Sequence, residues 1–193
     1  MRRICVFCGS SAGSRPEYRA CAEQLSAELT RRNLGLVYGG GNVGLMGAIA
    51  DAILKVGGEA IGVIPERLMT REIGHQQLTK LHIVNSMHER KALMADLSDA
   101  FIALPGGFGT LEEFFEVLTW SQLGLHAKPC GIVNVLGYYA PLLAMLDHAV
   151  EERFLKPQNR ALILARDTPH ELLGALEEWR PVPVEKWLDR DTR

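Results

Sequence analysis

Leu34-Gly35-Leu36-Val37-Tyr38-Gly39-Gly40-Gly41-Asn42-Val43-Gly44-Leu45-Met46-Gly47 is the stretch on which the fold turns. Leu34–Tyr38 is short, mostly apolar and reads as a strand. The glycines after it permit a sharp turn, and Leu45–Val56 then reads as a helix closed by Gly57-Gly58. The same alternation runs outward in both directions. Arg3–Cys8 reads as a strand and Pro16–Arg32 as a helix, with Ser14 as its cap and Leu25 and Leu29 four apart. Ala60–Ile64 is a strand stopped by Pro65, and residues 66–80 form a polar, irregular stretch long enough to be a functional loop. Leu81–Val84 is a strand, and Ser86–Leu97 a helix opened by the capping box Ser86-x-x-Glu89. Ala100–Leu104, Cys130–Val135 and Leu162–Leu164 are strands; Thr110–Leu123, Tyr139–Arg153 and Pro169–Trp179 are helices. Strands separated by helices pair in parallel, with the sheet covered on both faces. The expected fold is an α/β, Rossmann-like doubly wound sheet, one nucleotide-binding domain over residues 1–193 with a charged tail from 181 that carries Trp187.

Composition narrows the function. The chain has 193 residues, 47% of them apolar and 23% charged, as in an ordinary globular domain. The 21 basic and 23 acidic side chains leave a formal charge of −2, so nothing draws it to nucleic acid. No apolar run approaches the roughly 18 residues of a membrane span. The apolar stretch after Arg2-Arg3 ends too soon for a signal core of about 7–15 residues, so a cytoplasmic location is expected. Cys5 and Cys8 lie three apart within a strand, so their thiols diverge; with no second cysteine or histidine pair they are reduced core residues, not a metal site. The six histidines show no metal-ligand spacing, and loop or surface roles are expected of them.

Two glycine loops lie on the rim where such a sheet binds ligands. Gly39-x-Gly41-x-x-Gly44 satisfies the dinucleotide fingerprint, with Glu66 after the next strand, yet the same glycines could serve tight packing alone. The second, Leu104-Pro105-Gly106-Gly107-Phe108-Gly109-Thr110, lets backbone amides approach a ligand at a helix N-terminus, where a phosphate binds without basic side chains. No GK[ST] follows it, so it is not a nucleoside triphosphate loop. Arg90 shares a helical face with Leu93, Met94 and Leu97; an inward cation needs an anion, whether ligand or internal partner. Glu113 has two readings as well, since Thr110-x-x-Glu113 matches a capping box.

Pro105-Gly106-Gly107-Phe108-Gly109-Thr110-x-x-Glu113 resembles the PGGxGTxxE motif of the LOG family, the cytokinin riboside 5′-monophosphate phosphoribohydrolases. Met87-His88-Glu89-Arg90-Lys91 resembles its MHxRK motif, Tyr38–Gly47 its first glycine loop and Cys8-Gly9-Ser10-Ser11 its opening turn. The likeness spans roughly residues 3–180; Asn85-Ser86 departs from it, where relatives often carry an acidic residue. It implies hydrolysis of the N-glycosidic bond of a nucleoside 5′-monophosphate, AMP or a cytokinin nucleotide, to free base and ribose 5-phosphate. It further implies Arg90 and Glu113 as catalytic residues. Glu72, Arg90, Lys91, the run Gly107, Phe108, Gly109, Thr110, Leu111, Glu112 and Glu113, and Thr119 would bind substrate. Gly9, Ser10, Gly40, Gly41, Gly44, Met46 and Gly106 are further candidate phosphate or nucleotide contacts. Relatives often carry the name lysine decarboxylase, but no lysine here is marked as a Schiff-base site, and no cofactor is expected. A homodimer is implied, and Phe114, Phe115, Val117, Leu118 and Trp120 make the Thr110 helix apolar on several faces. A non-catalytic nucleotide carrier or sensor is the alternative, and a dehydrogenase a third reading.

Overall fold

The apolar runs become strands and the stretches between them helices in the computed structural model, which describes residues 1–69, 74–75 and 77–181. The first half comprises β1 (Arg3–Phe7), α1 (Pro16–Arg31), β2 (Gly35–Tyr38), α2 (Gly44–Lys55), β3 (Ala60–Pro65), β4 (Lys80–Val84) and α3 (Met87–Asp96). The second half comprises β5 (Ala100–Ala103), α4 (Phe108–Gln122), β6 (Cys130–Val133), α5 (Ala140–Glu151), α6 (Pro157–Arg160), β7 (Ile163–Arg166) and α7 (Pro169–Glu178). The strands form one parallel sheet in the order β4-β3-β2-β1-β5-β6-β7.

Both faces of the sheet's inner strands are dry. Ile4, Val6, Leu36, Tyr38, Ala100 and Ile102 point into a cluster covered by α1, α2 and α7. Cys5, Phe7, Val37, Phe101 and Ala103 point the other way, into a cluster covered by α3, α4 and α5. Side chains alternate along a strand, so a strand buried on both faces is apolar at every position. Cys5 and Cys8 accordingly sit in opposite clusters, both buried and free. No helix among the described residues is long and apolar enough to cross a membrane.

β1 is the hinge of the topology. It pairs with β2 through Arg3↔Gly35 to Val6↔Tyr38, and with β5 through Ile4↔Ala100 to Phe7↔Ala103. The sheet grows leftward from β1 and then rightward from β5, which opens a crevice beyond their carboxyl ends. Most element ends shift by one or two residues from expectation, and two of the shifts bear on the loops at this crevice. Arg15, not Ser14, precedes α1, without a side-chain capping bond. α4 begins two residues earlier than Thr110: Gly107 is its N-cap, and the Gly107 carbonyl accepts the Leu111 N–H at 3.1 Å. The charged tail and Trp187 lie outside the described residues.

Candidate active site

Three loops meet at the crevice, and glycine is what lets them touch. The Gly9 N–H donates to the Pro105 carbonyl at 3.0 Å, and the Gly9 carbonyl accepts the Leu45 N–H at 3.0 Å. Gly44 has φ +58, and a Cβ there would lie 2.3 Å from the Ser10 carbonyl carbon. A Cβ on Gly106 would lie 2.0 Å from Thr110 Oγ1. No larger residue fits at either place.

The loop from β5 to α4 is held from behind. The Leu104 carbonyl accepts the Tyr139 hydroxyl at 2.7 Å, the Pro105 carbonyl accepts Gly9 N–H, and the Gly106 carbonyl accepts the Tyr138 hydroxyl at 2.7 Å. Three consecutive carbonyls are thus turned onto the scaffold. Beyond them lies the first turn of α4, whose amides have no intrahelical acceptor and carry the positive end of the helix dipole. Gly107 and Gly109 line the cleft in front of it, and a Cβ on either would meet no described residue within 4 Å. Neither has a positive φ. Packing and backbone conformation therefore do not demand glycine at these positions; leaving the cleft floor open does.

The cleft has a volume of about 280 Å³, near the lower end of small-molecule sites. Arg90 and Glu113 both line it. Arg90 is only 5% exposed and its guanidinium is clamped: Nε donates to the Val63 carbonyl at 3.1 Å, and Nη2 to the Gly39 carbonyl at 2.8 Å. A Cβ on Gly39 would lie 2.1 Å from Nη2, so this glycine exists to admit the arginine. Glu113 is half-buried in the second turn of α4. Burial pushes the Cys5 and Cys8 thiols up, and the Glu113 carboxylate raises both further, while Arg90 pulls Cys5 back down. Both charged groups are thus within electrostatic reach of the same buried strand end.

The earlier start of α4 settles one ambiguity. A capping box needs its carboxylate three residues after the N-cap, a place that falls to Thr110 once Gly107 is the N-cap. Glu113 lies three residues beyond it, so the capping-box reading is corrected. Thr110 is buried, with its hydroxyl packed against Gly106. Gly9, Ser10, Met46, Phe108 and Glu112 also line the cleft, and Phe108 is 94% exposed at its mouth.

Other expected contacts fall elsewhere. The Lys91 ammonium lies against Glu112 and, at 3.0 Å, Glu116. Leu111 packs on the core, and exposed Thr119 turns its hydroxyl onto the Phe115 carbonyl at 2.7 Å; neither lines the cleft. Gly40 and Gly44 serve loop packing, Gly41 bridges to Gly74, and Gly106 lines a neighbouring cavity. Glu72 lies outside the described residues. Sequence reasoning missed Cys8, Leu68 and Met87 as cleft walls. Met87 was findable, one helical turn before Arg90 on the same face. His75 lies in a loop, one of the two roles expected, but it is buried there at 3% exposure, with Nε2 3.0 Å from Asp51 Oδ1 and its backbone N–H on the Gly40 carbonyl. Among the described residues no group of His, Cys, Asp and Glu is placed to hold a metal ion.

Comparison with known proteins gives the family. A family model described as "Possible lysine decarboxylase" matches residues 46–176. A probable cytokinin riboside 5′-monophosphate phosphoribohydrolase of Oryza sativa subsp. japonica is 54% identical over 93% of this chain and 74% of its own length. A cytokinin riboside 5′-monophosphate phosphoribohydrolase of Arabidopsis thaliana is 53% identical over 93% of this chain and 84% of its own. Among solved structures, the molybdenum cofactor binding protein of Rippkaea orientalis superimposes with a TM-score of 0.69, over 91% of this chain and 95% of that one. At 21% identity, that likeness speaks to the fold alone. With the glycine loops, the clamped arginine and the helix-borne glutamate in place, the chain belongs to the LOG family of phosphoribohydrolases.

Proposed function

We propose that this hydrolase cleaves the N-glycosidic bond of purine nucleoside 5′-monophosphates, cytokinin nucleotides and AMP among them, giving free base and ribose 5-phosphate. The observation that carries this reading is one cleft holding a carboxylate, Glu113, a clamped guanidinium, Arg90, and the amide end of α4. The 5′-phosphate sits on the amides over Gly107 and Gly109, where no side chain among the described residues comes within 4 Å of a Cβ position. Glu113, one turn further along α4, then faces the ribose. Leaving of the base passes through an oxocarbenium-like state with positive charge on C1′. The C1′–N electron pair goes to the base, a water oxygen bonds to C1′, and the water's proton passes by way of Glu113 to the base nitrogen, so that the base leaves neutral and the carboxylate is restored. A carboxylate there both offsets the charge and activates the water. Arg90, immobilised by two backbone carbonyls, directs its charge onto an anionic group of substrate or supports the departing base.

The proposed enzyme works as a homodimer in the cytoplasm, on small nucleotides and without a cofactor. Leu123 and Leu125, 55% and 70% exposed at the end of α4, and the half-buried Phe115 and Trp120 support a partner surface there. The buried free cysteines suit a reducing compartment. The test is to incubate purified protein with N6-isopentenyladenosine 5′-monophosphate, AMP or adenosine and to separate the products. Both nucleotides should yield free base with ribose 5-phosphate, and adenosine should react far more slowly. Equal kcat/KM for AMP and adenosine would refute the phosphate site. No base from any of them would refute the hydrolase.

A further inference from the structure

We propose that Tyr138 is a positioning residue for anion recognition: its hydroxyl locks the Gly106–Gly107 peptide with the carbonyl turned away from the cleft and the amide turned into it. The proposal rests on the reading of the cleft as a 5′-phosphate site. The Gly106 carbonyl accepts the Tyr138 hydroxyl at 2.7 Å. Tyr138 is not a cleft residue; it walls a second cavity of about 300 Å³ that shares Gly9, Ser10 and Gly107 with the cleft. A peptide is planar and trans, so an oxygen drawn toward Tyr138 sends the Gly107 N–H the opposite way. That amide adjoins those of α4.

The lock is needed because this peptide joins two glycines. Gly107 sits at φ −94. Rotating the peptide by half a turn would carry that φ to positive values, which glycine alone tolerates freely. The flipped peptide would present an oxygen, not an N–H, to the phosphate. The neighbouring carbonyls cannot flip as easily, since Leu104 is tied to the buried Tyr139 hydroxyl and Pro105 to the Gly9 amide. The Tyr138 ring is itself fixed, edge-on to Tyr18 with centroids 5.8 Å apart and to Tyr139 at 5.0 Å. An aromatic wall outside the cleft therefore sets the polarity of the cleft floor.

Tyr138→Phe keeps the ring contacts and removes only the hydroxyl. The readouts are KM for AMP, the inhibition constant of ribose 5-phosphate, kcat at saturation and Tm. KM and the inhibition constant should both rise about 2–12-fold, the scale of one hydrogen bond, with kcat kept within about twofold. Tm should move by less than about 2 °C, because the side chain is half-exposed. Tyr139→Phe is the structural comparator: it removes a buried hydroxyl bond, so Tm should fall while the inhibition constant stays put. An unchanged KM and inhibition constant in Tyr138→Phe would overturn the proposal, as would a rise matched by an equal loss of Tm and an equal rise in Tyr139→Phe. A wild-type enzyme that ribose 5-phosphate does not inhibit, and that treats AMP and adenosine alike, would instead overturn the phosphate site itself.

Discussion

Gly109→Ala should make this protein more stable and less active, and the two effects come from the same empty space. Gly109 is the second residue of α4; its φ is ordinary, and an added Cβ would meet no described residue within 4 Å. Alanine there narrows the unfolded ensemble without strain in the fold, which is worth about 0.4–1 kcal/mol. For a chain of this length that raises Tm by about 1–4 °C. Gly109 lines the cleft, so the same methyl should crowd a phosphate that must come within hydrogen-bond distance of the α4 amides. Forcing a methyl into a filled site costs roughly 1–3 kcal/mol. That corresponds to a loss of about 5–150-fold in kcat/KM for AMP. Gly174 in α7 supplies the control, being equally free of neighbours but away from the cleft. Gly174→Ala should gain a similar increment in Tm and keep full activity. Differential scanning fluorimetry and a base-release assay suffice. A Gly109→Ala protein with unchanged kcat/KM for AMP would refute the placement of phosphate over this turn, and a drop in Tm would refute the steric argument.

The geometry carries three further expected outcomes. Glu113→Gln should lower kcat by on the order of 10²–10⁴-fold, the scale of a general base. Its Tm should shift by only a few degrees, because the residue lies beyond the first turn, where the helix dipole falls off. A folded, AMP-binding variant with wild-type kcat would remove Glu113 from the chemistry. Arg90→Lys keeps the charge but cannot span the Val63 and Gly39 carbonyls together, so kcat/KM should fall by at least about tenfold; full activity would show that the clamp is dispensable. His126 accepts the Lys128 N–H on Nδ1 at 3.1 Å and donates from Nε2 to the Val117 carbonyl at 2.8 Å, so it is neutral in the fold, and burial holds its pKa below the usual value. The unfolded chain then takes up the proton first, and stability contributed by this group is present above about pH 6.5 and lost as pH falls below it. His126→Gln should flatten that part of the Tm-against-pH profile, and an unchanged slope would refute the assignment.

The inner strands were legible because burial on both faces leaves them almost wholly apolar, a signal carried by consecutive residues, whereas edge strand β4 is partly exposed and carries Lys80 and His82. Arg90 was legible as an anomaly, a cation on an inward helix face. Its partners were not, since the carbonyls of Gly39 and Val63 leave no mark on side-chain pattern. The start of α4 was misjudged because Thr110 and Glu113 spell a capping box, and Gly107 is a weaker written signal than threonine. Tertiary contact decides it: Thr110 is needed inside the helix, packed beneath Gly106. His75, Tyr138 and Tyr139 were opaque for the same reason. Each is bound to a backbone carbonyl more than 30 residues away, and nothing local announces such a pairing.

The two glycine loops were the hardest to tell apart by sequence, and the structure separates them by a simple criterion. In the first loop, Gly39 would collide with Arg90 and Gly44 with the Ser10–Ser11 backbone if either carried a Cβ. Those glycines are explained by packing, so their match to the dinucleotide fingerprint asks for no dinucleotide, and the dehydrogenase reading loses its main support. In the second loop Gly106 is likewise required by Thr110, but no described residue stands where a Cβ on Gly107 or Gly109 would go. Within α4, glycine at position 109 costs roughly 0.5–1 kcal/mol relative to alanine, whereas Gly107 is the N-cap, where glycine is the better residue. Where such a cost falls on a cleft floor, beside a carboxylate and a clamped guanidinium, the missing atom that explains it belongs to a ligand.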